Sequence, residues 1–475
     1  MGDQVKALVC CLLAIGTASV ARAGEAAAAR EIRAGRAALE SNRPGDARRD
    51  FAAALGQPGA SRDDRFAANV GLGKAELWLG RDRAAERAFR HATRFAGSRG
   101  DRRVAAVGLA QALNALEYYD SAFALAAPFA RSDAAATAEL LRAANALGRA
   151  DQVARYSQGG PSAELATHLG VDLARQRADA ELALSTRVEL DLAFSHDSDG
   201  LDLRRYALGA WLPGRPGGAL FPTWHVEAAT TTIADPLRSQ RLQEVAAGAA
   251  ARVGDAQRLD LSIGAGSVDG WTFLQGKFAW HERLSDRVSL DAAVERHPIL
   301  TTTALLREVA FDTYSTDASL RASDHWYVIP TYIHQSFSDG NQRDGGALKV
   351  LLSPYDIPNT RSALGAEVVV RGYDSSKPSV GTYFSPGQYR LRQLSLIGVH
   401  AFSPDWRLRA VAGLGTESIN GVSERAYSWR LSLTGRLPHN GRIALNVGRD
   451  SFASVAGGGS GYWNDTAAAT IVFPL

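Results

Sequence analysis

The chain contains two cysteines and one methionine in 475 residues. Both cysteines, Cys10 and Cys11, fall inside the first apolar stretch. Beyond that stretch no disulfide framework, zinc-thiolate site or thiol nucleophile can form. Charge of one sign is also lacking: 53 basic against 50 acidic residues leave a formal +3, too little for this length to argue for a nucleic-acid partner. After the N-terminus no run of ~20 apolar residues appears, so a transmembrane helix is excluded there. There is no phosphate loop, nucleophile elbow or metal-ligand cluster, and the ten histidines are scattered singly. The nearest approach to a catalytic carboxylate pair is Asp291 with Glu295. On one strand they would stand about 13 Å apart at ~3.3 Å per residue, beyond the roughly 5 to 9.5 Å of a glycosidase pair. No enzyme, cofactor or metal is expected.

The first residues read as a secretory leader, residues 1–23. Lys6 gives a positive start, Ala7 to Val20 an apolar core, and Ala21-Arg22-Ala23 a small-x-small cleavage pattern. On this reading the mature chain is cysteine-free and exported.

From residue 24 to 180 alanine, arginine and leucine dominate with a helical period. A motif recurs: Pro44-Gly45-Asp46-Ala47 leading to Phe51, Gly80-Arg81-Asp82 with Ala85 leading to Phe89, Tyr118-Tyr119-Asp120 with Ala122 leading to Ala126, then Gly148-Arg149-Ala150. The spacing of about 31 to 38 residues brackets that of tetratricopeptide repeats. Ala47, Ala85 and Ala122 would let paired helices approach closely, with Phe51 and Phe89 filling the gaps. Gly80 and Gly148 suit the breaks between helices. An unrelated α-bundle fits the same pattern. As a repeat solenoid the segment would offer a concave surface to periplasmic partners.

Residues 185–475 change period again. In Arg187 to Phe194 the apolar Val188, Leu190, Leu192 and Phe194 alternate with Arg187, Glu189 and Asp191. Similar alternation recurs at Arg258 to Ile263, Trp406 to Arg409 and Tyr427 to Thr434. Strand side chains point to alternate faces, so each segment has one greasy and one charged face. A soluble antiparallel sandwich also shows this pattern. A membrane barrel is favoured by strands of about 10 to 14 residues, longer than the usual ~5 to 6. It is favoured too by aromatics at strand ends: Trp211, Trp271, Trp280, Trp326, Trp406 and Tyr462.

Strands are expected near 185–196, 201–212, 221–232, 240–253, 257–267, 271–282, 287–297, 312–322, 325–337, 343–353, 361–373, 388–402, 405–416, 424–437, 441–450 and 463–475. The total is about sixteen, an even number as in bacterial single-chain barrels. The fold class is thus an α-solenoid followed by an antiparallel transmembrane β-barrel in outer-membrane lipid. Short turns, such as Gly254-Asp255 and Ser323-Asp324, should lie on the periplasmic side. The long connections 374–387 and 451–462 should lie outside. With lipid on the apolar face, the lumen takes Arg187, Glu189, Asp191, Arg258, Asp260, Asp291, Glu295, Glu367, Arg371, Arg407, Arg409, Arg430 and Arg436. Such a lumen would pass a hydrated polymer, or its charges would simply pair across the wall.

Three stretches resemble the C-terminal domain of cellulose synthase operon protein C. Gly381-Thr382-Tyr383-Phe384-Ser385-Pro386-Gly387-Gln388-Tyr389 is similar to that family's Tyr-Phe/Tyr-Ser-Pro-x-x-Tyr motif. Trp280 to Arg287 with Glu295 to Thr301 resembles its Arg-Leu-Ser-Asp and Glu-Arg-x-Pro stretch, and Gly457 to Trp463 resembles its last outer loop. Thr302-Thr303-Ala304-Leu305-Leu306 departs from the family pattern, and the helical part is shorter than the family's repeat array. The resemblance implies an outer-membrane export porin with periplasmic repeats. Its expected partners are an exopolysaccharide chain and periplasmic or inner-membrane synthase components. Tyr383, Phe384, Ser385, Pro386 and Tyr389 would sit at the pore exit, where Tyr383 and Phe384 either stack on sugar rings or pin the loop to the rim. Two rivals remain open: a surface-lipoprotein translocator of about fourteen strands, and a plugged, non-conducting anchor or receptor marked by a loop folded into the lumen.

Overall fold

The computed structural model describes residues 25–158, 171–214, 220–357, 360–459 and 461–475. The segment read as a leader lies outside the described residues. The chain divides into two compact units, Met1–Ala180 and Glu181–Leu475.

In the first unit, helices α1 (residues 25–40), α2 (Pro44–Leu55), α3 (Arg62–Trp78), α4 (Asp82–Phe95), α5 (Arg99–Ala115), α6 (Tyr119–Ala126), α7 (Ala134–Ala146) and α8 (Ala150–Gln158) follow one another through short turns. The starts of α3 and α5 are fixed by the same device. Ser61 and Ser98 each accept from the amide three residues on, and Asp64 and Asp101 return the bond, a reciprocal capping box. Gly80 and Gly148 close α3 and α7 with φ of +67° and +66°, the left-handed region where a side chain would be strained.

The core of this unit repeats one contact. The Phe51 ring of α2 lies between Gly35 of α1 and Gly71 of α3, where an added Cβ would stand 2.9 and 2.3 Å from the ring. The Phe89 ring of α4 lies between Gly73 of α3 and Gly108 of α5, at 2.7 and 2.2 Å. Both phenylalanines are buried, as are Ala47, Ala85 and Ala122. Small residues thus admit the ring, and the ring holds three helices in one register. Helix α9 (Val171–Leu184) leads to the second unit.

The second unit is a closed barrel of sixteen antiparallel strands, each paired with its sequence neighbours and the first with the last. The strands are β1 (Arg187–Asp197), β2 (Asp202–Pro213), β3 (Leu220–Ala234), β4 (Ser239–Val253), β5 (Gln257–Val268), β6 (Trp271–Ser285), β7 (Val288–Pro298) and β8 (Ala310–Arg321), then β9 (Trp326–Phe337), β10 (Gln342–Asp356), β11 (Ser362–Ser375), β12 (Gln388–Ala401), β13 (Trp406–Ile419), β14 (Val422–Arg436), β15 (Arg442–Asp450) and β16 (Asn464–Pro474). A short helix, α10 (Thr302–Leu306), lies between β7 and β8. Both the strand count and the strand positions agree with the alternation in the sequence. The seam runs from Arg187 opposite Pro474 to Asp197 opposite Asn464. Pro474 has no N–H to give. The next amide, Leu475, donates to the Thr186 carbonyl at 2.8 Å instead.

Cross-strand partners share a face, so the register divides the side chains into two sets. Leu190, Leu208, Val245, Leu274, Val294, Leu348, Val370, Leu394, Leu414 and Leu431 belong to one set, and all are exposed. The other set meets the loops. Leu305 of α10 packs with Ile233, Leu242, Val268 and Phe273, which come from four successive strands. Only a loop inside the barrel can touch all four, so the exposed apolar set faces outward. On that outer face Trp224, Trp280, Trp326 and Trp406 lie near the short turns. Tyr206, Tyr314, Tyr332 and Tyr427 lie nearer the long connections. Two aromatic girdles around an apolar band are the exterior of a bilayer-spanning barrel.

Three strand-end aromatics differ from the expectation. Trp211 faces inward, stacked on His225 with centroids 4.5 Å apart and lying under the Arg187 guanidinium. Trp271 also faces inward, against Phe273. Tyr462 is buried in the last connection and donates to Asp197. Position at a strand end does not fix the face; the parity of the register does.

At the end where β1 begins every strand connection is short, six residues or fewer. The connections 299–309, 376–387 and 451–463 all lie at the opposite end.

Two outcomes follow. Phe89→Ala should empty the slot between Gly73 and Gly108 and cost about 3 to 5 kcal/mol, read as an earlier helical melting step by circular dichroism of the full chain. Ile263→Arg, at the middle of the outer face of β5, should cost about 2 to 4 kcal/mol in barrel stability. Urea titration of refolding into vesicles would measure it, and Ser262→Arg on the inner face should cost far less.

Candidate functional site

The three long connections fold inward over the mouth. The first carries α10, whose Thr301 hydroxyl accepts from Ala304 N and donates to the Thr382 carbonyl of the second connection at 2.7 Å. Thr302 donates to Asp235 in the β3–β4 turn. That bond, followed by the Leu237 and Arg238 amides, holds the Asp235 carboxyl below its ordinary pKa.

The second connection contains Tyr383, Phe384, Ser385 and Pro386. Asn341, fully buried in the β9–β10 turn, is the node that fixes it. Its Nδ2 donates to Tyr383 Oη at 3.0 Å and Ser385 Oγ at 2.9 Å. Its Oδ1 accepts from the Gln342 and Lys377 amides at 2.9 and 2.8 Å. Tyr383 Oη donates to Asp339 at 3.1 Å, and its ring stacks on Phe337 with centroids 4.8 Å apart. Burial pushes the Tyr383 hydroxyl up to about 12, with the Asp339 carboxylate acting in the same direction. Arg343 is almost wholly buried; its Nη2 donates to the Phe384 carbonyl at 2.7 Å. Tyr389, in β12, is fully buried and stacks on Tyr373.

The third connection runs under these groups. Val455 accepts from the Phe384 amide at 3.1 Å, and Gly458 lies against the Phe384 ring, so close that a Cβ would stand 2.8 Å away. Buried Glu417 accepts from the Ala453 amide at 2.7 Å. The Arg371 guanidinium lies 4.8 Å from the Phe452 ring centre and 3.3 Å from Tyr389 Oη.

The exit motif therefore pins the loops together. The ring faces of Tyr383 and Tyr389 are covered, so in this conformation neither can stack on a sugar. Arg371 belongs to the same latch and not to the open lumen. The sequence reading missed Asn341, Arg343 and Glu417. The Asp339-Gly340-Asn341 turn, with Gly340 at φ +80°, was the available signal for Asn341. A loop folded into the barrel, the mark of a plugged anchor, is present at this end.

Below the latch the inner face is polar. The register places Glu189, Asp191, Arg258, Asp260, Asp291, Glu295, Glu367, Arg407, Arg409 and Arg430 on it. Much of the charge is paired along the wall. Lys277 meets Glu295 at 2.6 Å, His281 meets Asp291 at 2.8 Å, Arg258 meets Asp260 at 3.2 Å and Lys349 meets Glu367 at 4.0 Å. Arg205 pairs with Glu227, and Thr470 donates to Asp191 at 2.5 Å. Several of these groups stay exposed: Arg258 retains 64% and Lys277 51% of side-chain accessibility. A recess of about 430 Å³ opens between Arg258, Asp260, His281, Asp291, Ser315 and Asp317.

No protein family matches the chain, so the resemblance to cellulose synthase operon protein C has no support from that side. No curated protein matches it. Among solved structures, a bacterial polysaccharide outer membrane secretin aligns with a TM-score of 0.49 and 12% identity over 61% of this chain and 98% of its own. CdiB from Acinetobacter baumannii aligns at 0.39 and 9% identity, over 61% and 60%. OccK7 (OpdD) from Pseudomonas aeruginosa aligns at 0.32 and 10% identity, over 61% and 98%. These are distant likenesses of the barrel.

Asn341→Ala should leave buried donors and acceptors of the second connection without partners, at about 1 to 3 kcal/mol. Limited proteolysis of folded protein should then cut within 376–387 at least several-fold faster. The pH dependence has two limits. Tyr383 holds its proton more tightly in the latch than free, so its contribution is complete below pH 10.0 and falls away as pH rises toward about 12. Asp235 acts in the opposite sense: its contribution is complete above the ordinary value of 3.8 and is lost as pH falls through its depressed pKa. Cleavage of the loops should be slow between these limits and rise beyond each.

Proposed function

We propose that the protein is an outer-membrane conduit that exports an exopolysaccharide, a cellulose-like glycan, while its helical repeats dock synthase components in the periplasm. The observation that carries this reading is the exposed inner wall below the latch. It is polar and carries both signs of charge in a barrel whose outside is apolar. A wall of that kind keeps water in the lumen and offers hydrogen bonds at many points, which suits a hydrated chain sliding past. The exit motif, which resembles that of the cellulose exporters, supports the class of cargo, and the leader-like residues 1–23 support export from the cytoplasm. The phenylalanine-in-glycine packing of the helical unit fits tetratricopeptide-like repeats. Passage would require the three loops to move apart, so the latch is a gate in this reading.

A second reading is favoured by the latch itself: a barrel closed at one end serves as an anchor or receptor and conducts nothing. The surface-lipoprotein translocator is disfavoured, since sixteen strands exceed its expected fourteen.

Removal of the gene separates the two. The conduit predicts that one exopolysaccharide disappears from the cell surface and accumulates in the periplasm. Composition analysis of the lost glycan would name the cargo. Unchanged surface glycans would contradict the conduit and leave the anchor.

A further inference from the structure

Many bases on the lumen wall have an acid beside them; Arg407 and Arg409 are among those that do not. Arg407 and Arg409 project from the inner face of β13, opposite Thr434 and Ser432 of β14. Both are exposed, and among the described residues neither has a carboxylate within ion-pair distance. Arg430 joins them from β14, opposite Val411, so it stands diagonally above Arg409; its only acid neighbour in ion-pair range is Asp450 at 3.5 Å. The three guanidiniums thus form a stripe along the wall, with Ser432 and Thr434 leaving space in front of them.

In a ring of sixteen strands, β13 and β14 lie across from β5 and β6. The inward bases there are already paired, Arg258 with Asp260 and Lys277 with Glu295. A polymer in this lumen therefore meets paired charge on that side and the unpaired Arg407 and Arg409 on the other.

We propose that the Arg407–Arg409–Arg430 stripe is a binding track for an anionic glycan, one bearing carboxylate groups such as uronic acids. This rests on the conduit reading and gives its cargo carboxylate groups in place of a neutral, cellulose-like chain. A guanidinium presents a rigid fork of donors that matches a carboxylate with two parallel bonds. The unpaired guanidiniums of Arg407 and Arg409, with Arg430 already shared with Asp450, leave a field that a carboxylate satisfies and a neutral sugar does not. Repetition along the strand, with Arg407 and Arg409 two residues apart, lets one carboxylate be handed on as the next arrives.

The test is isothermal titration of the detergent-solubilised full chain with three size-matched probes: oligogalacturonate, cello-oligosaccharide and fully deacetylated chito-oligosaccharide. Oligogalacturonate should bind at least about tenfold more tightly than the other two, and added salt should weaken it. Arg407→Gln with Arg409→Gln should reduce its affinity by roughly tenfold per arginine. Arg407→Lys with Arg409→Lys keeps the charge but not the fork, and should give an intermediate loss even if the glutamine variant folds poorly. Equal or tighter binding of the neutral or the cationic oligomer overturns the proposal, as does anionic binding that both variants leave unchanged. If the neutral oligomer binds and the anionic one does not, the conduit stands and the anionic class falls. If none of the three binds, the track falls, and loss of a surface exopolysaccharide on removal of the gene still decides the conduit.

Discussion

A backbone that crosses hydrocarbon must satisfy every N–H and C=O within the protein, because the bilayer core offers no water. The closed ladder from β1 round to β16 meets that demand, and the rest of this barrel follows from it. Closure requires strands long enough to cross, an even number of antiparallel pairs, and a seam in which the first and last strands match. The seam is continuous from Arg187 to Asp197, and its one missing donor, at Pro474, falls where Leu475 can bond instead. Once the ladder is closed, the pleat sends alternate residues to lipid and to lumen. The apolar band, the girdles and the charged interior are then one property seen from two sides.

The lumen and the latch divide the inner face between them. Near the mouth the inward positions are aromatic or aliphatic, and they pack against the loops. Below it they are ionic and exposed. The same parity therefore serves two ends. Phe273, Phe337 and Tyr389 make a floor for the three connections, while Lys277, Asp291 and Arg409 face water. Asn341 ties the second connection to the wall through a polar network with no spare capacity. Such a network is stable when complete and fails as a unit when one member is removed.

The barrel was legible in the sequence because its signal is local. A period of two residues, repeated sixteen times between turn residues, gives the strands and the face of each charged position. The helical unit was legible for a similar reason: Phe51 and Phe89 recur with small residues at fixed offsets. The latch was legible only as one of two alternatives for Tyr383 and Phe384, pinning the loop or stacking on sugar, and its partners were not legible at all. Whether Tyr383 lies outside the mouth or inside it depends on Asn341, Phe337 and Val455, which are 42, 46 and 72 residues away in the chain and carry no shared pattern. Trp211 and Trp271 misled for the same reason. Their place at strand ends suggested the membrane interface, but the register turned them inward, onto His225 and Phe273.

The central claim is that one face of each strand meets lipid and the other meets water in an accessible lumen. Cysteine scanning along β13 tests it most directly. Single cysteines at Leu408, Arg409, Ala410, Val411 and Ala412, in a chain with Cys10 and Cys11 replaced by serine, would be probed in membranes with a charged, impermeant thiol reagent. The account predicts reaction at Arg409 and Val411 and protection at Leu408, Ala410 and Ala412. Uniform reactivity, uniform protection or the reversed alternation would contradict it.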